Sequence, residues 1–348
     1  MLKGWKTLKY HTNANMLSPD STELKISRQL SVAPMMEWTD RHCRYFHRLL
    51  SPNALLYTEM VTTGALLQGD TDRFLRFSPL EQPLALQLGG SDPEAMAKCA
   101  VLAQQAGYQE VNINVGCPSD RVQNGRIGAC LMAEPQLVSD CVSAMKEQVD
   151  IPVTVKTRIG IDQQDSEAFL FDFIDTVSRG GCDVFIIHAR KAILKGLSPK
   201  ENRMIPPLNY HRAYQAKQAF PDLTIVINGG IKSTADIATH WAKLDGVMIG
   251  REAYHNPFFL AEIETQLFKH ADVTRIQVLS DYLSYMDNQL TDGVALQSMS
   301  RHILGLFSGI PGGKHWRRYL SENARHKNAG TEVILAALEQ VQRYSVIN

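Results

Sequence analysis

The chain has 348 residues, and its 36 basic side chains equal its 36 acidic ones, so net charge gives no sign of a nucleic-acid or membrane partner. Its six cysteines are scattered, with no CxxC pair and no secretory leader, which favours a cytoplasmic protein and argues against disulfides and a metal site. No apolar run approaches the roughly 20 residues that cross a bilayer, and the length suits one barrel-sized domain with a smaller one.

Residues 1–28 lack hydrophobic periodicity, and we interpret them as a flexible leader. From Ser31 onward, short β-like runs alternate with amphipathic helical patterns. The predicted strands are residues 31–36, 54–60, 84–89, 110–115, 152–158, 183–189, 223–228 and 245–250. The predicted helices between them are residues 40–50, 93–106, 135–149, 166–178, 210–219 and 234–242.

This alternation predicts an α/β fold in which residues 29–258 form a (β/α)8 TIM barrel. An open doubly wound sheet is the alternative, although no GxGxxG motif follows the first strand. After Pro257 the β-alternation ends, and the sequence predicts a C-terminal all-α helical bundle over residues 259–348. Its predicted helices are residues 258–270, 275–291, 298–307, 313–325 and 331–344.

The fourth predicted strand leads directly into a cysteine. Residues 110–118 alternate apolar and polar side chains and then stop at a glycine and a proline, as a strand does before a turn. Cys117 therefore lies where a parallel strand joins its loop, the usual position of catalytic groups in barrels. Asn112 and Asn114 on the same strand can point into a polar site, so Cys117 is our first candidate for chemistry.

Candidate site residues also stand at the ends of the other predicted strands, which meet at one mouth of a barrel. They are Ala33-Pro34-Met35, Glu59, Gln87, Lys156 and Arg158, His188, Asn228-Gly229-Gly230, and Gly250-Arg251. Glycines after the last two strands let backbone N–H groups approach a phosphate, and an arginine adds a charged contact. A phosphate site together with a lysine, a histidine and amides suits flavin mononucleotide, FMN.

Eight separated segments, in order, resemble the tRNA-dihydrouridine synthases. They are APMMEWTDRHCRYF from Ala33, TEMVTTGAL from Thr58, LQLGGSDP from Leu86, NINVGCPSDRVQNGRIGACLM from Asn112, TVKTRIGID from Thr154, FIIHARKAILKGLSPKENR from Phe185, INGGIK from Ile227 and DGVMIGREAYHNP from Asp245. The SPKENR and PSDRVQNG versions are similar to the bacterial A subfamily, which acts on tRNA D-loop positions 20 and 20a.

The resemblance implies a role for each matching residue. Cys117 matches the catalytic cysteine. The FMN contacts match Ala33, Pro34, Met35, Gln87, Lys156, His188, Asn228, Gly229, Gly230, Gly250 and Arg251. The tRNA contacts match Asn114, Lys200, Arg203 and the stretch with Lys314, Trp316, Arg317, Arg318 and Tyr319. Arg158, two residues beyond Lys156, is expected on the same strand face and nearer the nucleotide.

The implied reaction is reduction of the uracil C5–C6 double bond in tRNA. NADPH reduces FMN, the flavin delivers hydride to C6, and an acid protonates C5. A thiol is mostly protonated near neutral pH, so Cys117 is the expected acid, whereas Cys130 is interpreted as structural. The uridine must leave its stack to reach a flavin, which requires protein surface beyond the pocket.

Two basic clusters offer that surface despite the neutral total. Residues 191–203 carry four basic side chains against Glu201, and residues 314–327 carry five against Glu322, with two aromatics interleaved. The alternative for the second cluster is a solvated helix face whose aromatics belong to the core.

Two other functions remain open at this point. One is an FMN oxidoreductase similar to dihydroorotate dehydrogenase that acts on a free pyrimidine, and the other is a tRNA-binding chaperone without catalysis. We expect no protein partner and a monomer, because a bulky tRNA would occupy much of one face.

Overall fold

A computed structural model of the chain describes residues 27–119 and 125–345, so the predicted leader lies almost wholly outside the described residues. Within these ranges, eight parallel strands numbered in chain order form one sheet. They are β1 (Leu30–Val32), β2 (Leu56–Thr62), β3 (Leu84–Gly89), β4 (Glu110–Val115), β5 (Val153–Arg158), β6 (Val184–His188), β7 (Thr224–Asn228) and β8 (Gly246–Ile249). Each strand pairs with the next from β2 to β8, β8 pairs with β1, and a Ser31–Leu55 bridge closes the predicted barrel.

Helices connect and follow the strands. They are α1 (Arg41–Leu50), α2 (Thr63–Gln68), α3 (Thr71–Leu75), α4 (Pro93–Gln105), α5 (Pro135–Lys146), α6 (Glu167–Arg179), α7 (Tyr210–Ala219), α8 (Thr234–Trp241), α9 (Arg251–His255), α10 (Phe258–Leu267), α11 (Arg275–Thr291), α12 (Leu296–Ser300), α13 (Gly313–Asn323) and α14 (Glu332–Ser345). Across the described part of the chain, none of them combines the length and apolar character needed to cross a membrane.

β1 ends at Val32 instead of residue 36. The N–H of Ala33 still donates to the Ile249 carbonyl at 2.8 Å, but the chain then turns because the N–H groups of Trp38 and Thr39 both donate to the Met35 carbonyl, at 3.1 and 2.9 Å. This turn carries the end of the first strand over the mouth of the barrel.

The two faces of the sheet separate apolar packing from polar groups. The outer face packs against the helices in a large apolar cluster that includes Val111, Ile113 and Val115. A smaller apolar cluster with Ala85, Tyr57 and Ile186 at its centre fills the inside. Because strand residues alternate, Glu110, Asn112 and Asn114 of β4 face the inside, as the sequence pattern predicts.

The predicted domain boundary at residue 258 falls just before α10, whose contacts are with helices of the barrel layer. α10 packs against α1, α8 and α9, so it is the last helix of the barrel layer. Its Glu264 is 3% exposed and accepts hydrogen bonds from Ser51 and Asn53, the latter at 2.7 and 3.1 Å, in the loop that follows α1. Sequence periodicity cannot separate a barrel helix from a bundle helix, because both bury one apolar side.

The other C-terminal helices, α11 to α14, form the predicted helical domain. The prediction of one helix over 298–307 is corrected to the short α12 followed by turns to residue 310. A Cβ on Gly305 would lie 2.3 Å from the His255 carbonyl oxygen, so the chain approaches the barrel too closely there for a regular helix with larger side chains.

The C-terminal domain docks on α1. Tyr285 stacks on Tyr45 with ring centroids 3.9 Å apart, and Tyr282 lies over Phe46 at 5.1 Å. The Tyr282 hydroxyl donates to the His42 carbonyl at 3.0 Å. The apolar core is continuous between the barrel helices and this domain.

Candidate active site

The loop after β4 holds Cys117 through backbone hydrogen bonds. The Asn114 Oδ1 atom accepts from the N–H groups of Gly116 and Cys117, at 3.1 and 2.9 Å. The Cys117 carbonyl accepts from the N–H of Ala129 at 2.9 Å. Cys117 is partly exposed at the mouth, which is where an acid that meets a substrate must be.

Cys130 stands in a different environment. Its thiol donates to the Ile127 carbonyl at 3.3 Å, and burial raises its pKa. The contact is local and holds a 3-10 turn, Gly128–Ala133, together. This agrees with the interpretation of Cys130 as structural.

Lys156 lies next to Asn114 in the register of β4 and β5. Burial and then repulsion from Arg158 lower the pKa of Lys156 to about 7, while the Cys117 side chain acts in the opposite direction. Near neutral pH this lysine therefore exchanges between charged and neutral forms. Burial, followed by Arg158 and Lys156, lowers the pKa of His188 well below its ordinary value, so the imidazole is neutral.

Arg158, which the sequence analysis expected near the nucleotide, is bonded to backbone carbonyls at the mouth of the barrel. Its side chain is 3% exposed, and Nε donates to the Gly116 carbonyl at 2.7 Å. Nη1 donates to the carbonyls of Lys191 and Asn202, both at 3.1 Å. Arg158 thus ties the Cys117 loop to the loop after β6, because both present backbone oxygens to one guanidinium group.

The ends of β7 and β8 form a compact glycine cradle. Gly229 and Gly230 have φ angles of 113° and 74°, which favour glycine. A Cβ on Gly229 would lie 2.6 Å from His188 Cδ2, so only glycine fits at this position. Gly250 and Arg251 follow from β8. Backbone N–H groups beside a guanidinium group match the acceptors of a phosphate, so this donor set fits the phosphate of FMN.

The remaining predicted cofactor residues differ in exposure. Ala33 is buried, whereas Pro34 and Met35 are half-buried, and a Cβ on Gly250 would lie 3.8 Å from Ala33 Cβ and 3.9 Å from Met35 Sδ. Asn228 donates to the Met248 carbonyl at 2.8 Å. Gln87 is 1% exposed, and both atoms of its amide are hydrogen-bonded to other side chains, so it has little surface left at the mouth.

The loop after β6 forms one wall of the mouth. Lys200 and Arg203 are exposed, as predicted for substrate contacts, whereas Lys191 is bound to Asp165 at 2.8 Å. The Arg251 guanidinium donates to the Arg203 carbonyl at 3.1 Å, which holds this wall next to the glycine cradle.

Comparison with known proteins identifies the kind of site. The family described as "Dihydrouridine synthase (Dus)" matches residues 31–343. The chain belongs to the dihydrouridine synthase family. The resemblance inferred from eight sequence segments is therefore confirmed, and with it a flavin-dependent oxidoreductase that acts on uridine.

Curated relatives of the dihydrouridine synthase family match almost end to end. The chain is 61% identical over 320 residues to "tRNA-dihydrouridine(20/20a) synthase" of Vibrio parahaemolyticus, which covers 91% of this chain and 98% of that protein. It is 58% identical over 332 residues to the protein with the same name from Escherichia coli K12, with coverage of 94% and 96%.

Solved structures agree on the fold alone. A 2-naphthoyl-CoA reductase complex matches with a TM-score of 0.53 at 12% identity, over 69% of this chain and 51% of that one. Morphinone reductase matches with a TM-score of 0.50 at 13% identity, over 71% and 87%.

Two exposed apolar side chains beside the mouth of this dihydrouridine synthase were missed by the sequence analysis. Met204 and Ile205, directly after Arg203, are 58% and 60% exposed. Arg190 donates to the carbonyls of Met204, at 3.4 Å, and Pro206, which fixes their backbone. A sequence gives no signal for them, since apolar residues are ordinarily expected in the core.

The basic face of α13 is partly as predicted. Lys314, Arg317 and Arg318 are exposed, and Tyr319 is half-buried. Trp316 is fully buried, donates from Nε1 to the Ile303 carbonyl at 3.0 Å and packs edge-on against Phe307. Its prediction as a tRNA contact is therefore wrong, because helical spacing turns it towards the core.

A cleft of about 590 Å³ between the barrel and the C-terminal domain was also missed. Its lining includes Arg41, Arg44, Arg73, Arg76 and Arg301. Arg44 is paired with Glu81 at 2.7 Å and Arg301 with Asp40 at 2.6 Å, while the other three have no ion-pair partner among the described residues. These arginines come from three separate parts of the sequence, at residues 41–44, 73–76 and 301, so no single charge run indicates them.

Proposed function

We propose that this chain is a tRNA-dihydrouridine synthase that reduces the C5–C6 double bond of uridines 20 and 20a in the D-loop of tRNA. The observation that carries the proposal is the position of the partly exposed Cys117, whose backbone N–H is held by Asn114 in the same barrel mouth as the glycine cradle. The near end-to-end match to relatives named for positions 20 and 20a supports the choice of uridines.

We propose FMN as the flavin and NADPH as its reductant. The glycine cradle with Arg251 would hold the phosphate, and Ala33, Pro34, Met35, Lys156 and His188 would line the ring system. When bound and reduced, the flavin supplies a hydride to C6 of the uracil. A neutral His188 can accept or donate a hydrogen bond without adding charge beside Lys156.

The chain's own residues supply the proton and the orientation. Cys117 holds a proton on Sγ and donates it to C5. Asn114 offers an N–H to a uracil carbonyl oxygen, and the protonated fraction of Lys156 stabilises negative charge that develops on the uracil during reduction. Arg158 acts indirectly, by fixing the carbonyl of Gly116 beside Cys117.

The substrate surface combines charge with apolar contact. Lys200, Arg203, Lys314, Arg317 and Arg318 neutralise phosphates, and the cleft arginines extend this surface between the domains. Met204 and Ile205 offer apolar contact for bases that are unstacked when the uridine is extruded. We place the enzyme in the cytoplasm with its tRNA, as a monomer.

The test is conversion of tRNA by the purified protein. Protein supplied with FMN and NADPH is incubated with tRNA from a strain lacking dihydrouridine, and nuclease fragments are analysed by mass spectrometry. We expect a mass gain of about two hydrogens confined to D-loop positions 20 and 20a. NADPH consumption without a gain on tRNA, or turnover of free orotate, would contradict the proposal.

Cys117→Ala tests the proposed acid. We expect dihydrouridine formation to fall by about 100-fold or more, within the range lost with a general acid, while flavin absorbance stays unchanged. Cys130→Ala is the matched control, because this thiol makes only a local contact. Equal activity of both variants would remove Cys117 from the mechanism.

A further inference from the structure

A continuous column of polar side chains runs from the base of the barrel to the Cys117 loop. At the base, Glu110 is 0% exposed and is ion-paired with Arg28. The Thr154 hydroxyl donates to Glu110 Oε1 at 2.6 Å, and Asn112 Nδ2 donates to Thr154 Oγ1 at 2.9 Å. Gln87 Nε2 then donates to Asn112 Oδ1 at 2.8 Å.

The upper part of the column reaches the catalytic loop. Asn114 Nδ2 donates to Gln87 Oε1 at 2.8 Å. Asn114 Oδ1 in turn accepts from the N–H groups of Gly116 and Cys117. Four side chains, those of Thr154, Asn112, Gln87 and Asn114, therefore connect the buried Glu110 carboxylate to the backbone of Cys117 without a gap.

The chemistry of Glu110 gives this column one direction. An ionised carboxylate only accepts, so the single hydroxyl proton of Thr154 must point to it. The Thr154 oxygen is then an acceptor, so the amide of Asn112 must direct its nitrogen towards Thr154, at the base of the barrel. The amide of Asn112 orients that of Gln87, which in turn orients that of Asn114, because each carbonyl oxygen must accept a hydrogen bond from an N–H.

We propose that Glu110 is a positioning residue that, through Thr154, Asn112 and Gln87, fixes the amide orientation of Asn114 and thereby the position of Cys117. With this orientation, the Asn114 oxygen holds the loop, and the second N–H of Asn114 is left to donate to a uracil carbonyl oxygen. A reversed amide would repel both loop N–H groups and present an oxygen to the substrate. The consequence for catalysis rests on the proposed function.

Thr154→Val interrupts the column while keeping the volume and the Arg28–Glu110 ion pair. We expect kcat for tRNA reduction to fall roughly 10- to 100-fold, since small misplacements of reacting groups have effects of this size. The rate of flavin reduction by NADPH should change less than about twofold, because that step does not use Cys117. Thr154→Ser keeps the hydroxyl and should restore kcat.

Tyr57→Phe is the matched control. The Tyr57 hydroxyl donates to the same Glu110 oxygen at 2.6 Å, but it is not part of the column. We expect Tyr57→Phe to change the melting temperature by about as much as Thr154→Val does, and to keep the wild-type kcat. If Thr154→Val does not fold, Glu110→Gln replaces it, because an amide at this position can donate and so removes the fixed direction.

A second readout does not depend on tRNA turnover. The rate of Cys117 alkylation by iodoacetamide, followed by mass spectrometry in the flavin-loaded protein, should rise several-fold in Thr154→Val and stay unchanged in Tyr57→Phe. Labelling of Cys130 in the same sample should not change. Unchanged Cys117 labelling together with wild-type kcat, or equal losses in Tyr57→Phe, would overturn the proposal. If Cys117 labelling rises in Thr154→Val but the wild-type protein itself forms no dihydrouridine, the column is upheld and the proposed function is rejected.

Discussion

At the scale of single residues, the mouth of the barrel is dominated by closely spaced cations. Burial lowers the pKa of Arg158 to about 10 and that of Lys156 to about 7, and each repels the other. Such a site is costly for the folded protein and favourable for an anionic ligand, because a phosphate and a developing negative charge offset the repulsion.

The depressed pKa of Lys156 predicts a pH-dependent cost to stability. Lysine in the unfolded chain has a pKa of about 10.4, so between about pH 7 and pH 10 the unfolded state binds more protons, and the free energy of unfolding rises with pH. Lys156→Met removes this contribution. Its stability relative to wild type should be highest below about pH 7 and should decline towards pH 10.

Urea unfolding of the flavin-free proteins at about pH 6.5 and about pH 9.5 measures this difference. Lys232→Met, at an exposed position, is the control and should show no trend. A difference between Lys156→Met and wild type that is equal at both pH values would contradict a buried, titrating lysine.

Single residues also show the limits of sequence reasoning. Cys117, Lys156, His188 and the glycine turns were predictable, because strand ends meet at the mouth of any barrel. The hydrogen bonds of Arg158 to backbone carbonyls and the burial of Trp316 were not predictable, because an arginine can bind carbonyls and a tryptophan can fill a core without any change in sequence pattern. Those roles depend on residues such as Asn202 and Ile303 that only the fold brings near.

At the scale of elements, α13 separates its two faces cleanly. Trp316 and Leu320 are buried, while Lys314, Arg317 and Arg318 point to solvent, and Arg318 is ion-paired with Glu322 at 2.8 Å. Arg317 has no ion-pair partner among the described residues, so its charge is available to a phosphate.

Charge reversal at Arg317 tests this face. Arg317→Glu should weaken tRNA binding roughly tenfold at about 0.1 M salt and make the affinity less dependent on salt, since fewer counterions are released. Binding is followed by filter retention across a salt series, with flavin content as a check on folding.

Arg179→Glu is the control for this experiment. Arg179 is exposed and is paired with Asp175. It lies in the last turn of α6, just before β6 begins, and therefore at the end of the barrel opposite to the mouth. We expect wild-type tRNA affinity. Equal effects of the two reversals would mean that net charge, and not the α13 face, governs binding.

At the scale of the whole molecule, Asp40 connects the two domains. Its side chain accepts from the N–H groups of His42 and Cys43 at the start of α1, both at 3.0 Å, and binds Arg301 at 2.6 Å and His302 at 3.0 Å. Burial alone would raise the pKa of Asp40, but hydrogen bonds from His302 and Arg301 hold it well below its ordinary value.

Asp40→Asn isolates the domain contact from the helix cap, because asparagine caps helices about as well as aspartate. We expect the free energy of unfolding at neutral pH to fall by about 2 kcal/mol, the size of a charged hydrogen bond. The carboxylate contributes fully above its unfolded pKa of about 3.9 and loses this contribution only as the pH falls from there through its much lower folded pKa, so most of the difference between the two proteins should persist near pH 4 and shrink at lower pH.

Urea unfolding at neutral pH and near pH 4 provides the measurement, and the difference between Asp40→Asn and wild type should be nearly the same at both pH values. Asp183→Asn, which removes an exposed ion pair with Lys146, should cost less than about 1 kcal/mol. A loss for Asp40→Asn as small as this would mean that the domains are held together by their aromatic contacts alone.

The barrel and the helical domain were both predictable from periodicity, since eight alternating units and a β-free tail leave few other folds. Periodicity does not assign α10 to either of them, because this helix has the same apolar stripe as any bundle helix, and only its contacts show that it packs against α1 and α8. The arginine-lined cleft was equally inaccessible, because it arises from residues 41–76 and 295–301 only after the domains dock.

This docking also sets an order of events during translation. All eight strands and α10 are complete by residue 267, so the nascent barrel can close and bind its cofactor before α11 leaves the ribosome. The aromatic face of α1, with Tyr45 and Phe46, is synthesised early. It remains uncovered until Tyr282 and Tyr285 of α11 have left the ribosome and can pack against it. The nascent protein thus has the glycine cradle and the loop after β6 first, with an uncovered aromatic patch on α1, and gains the basic face of α13 only after its C-terminal residues have been synthesised.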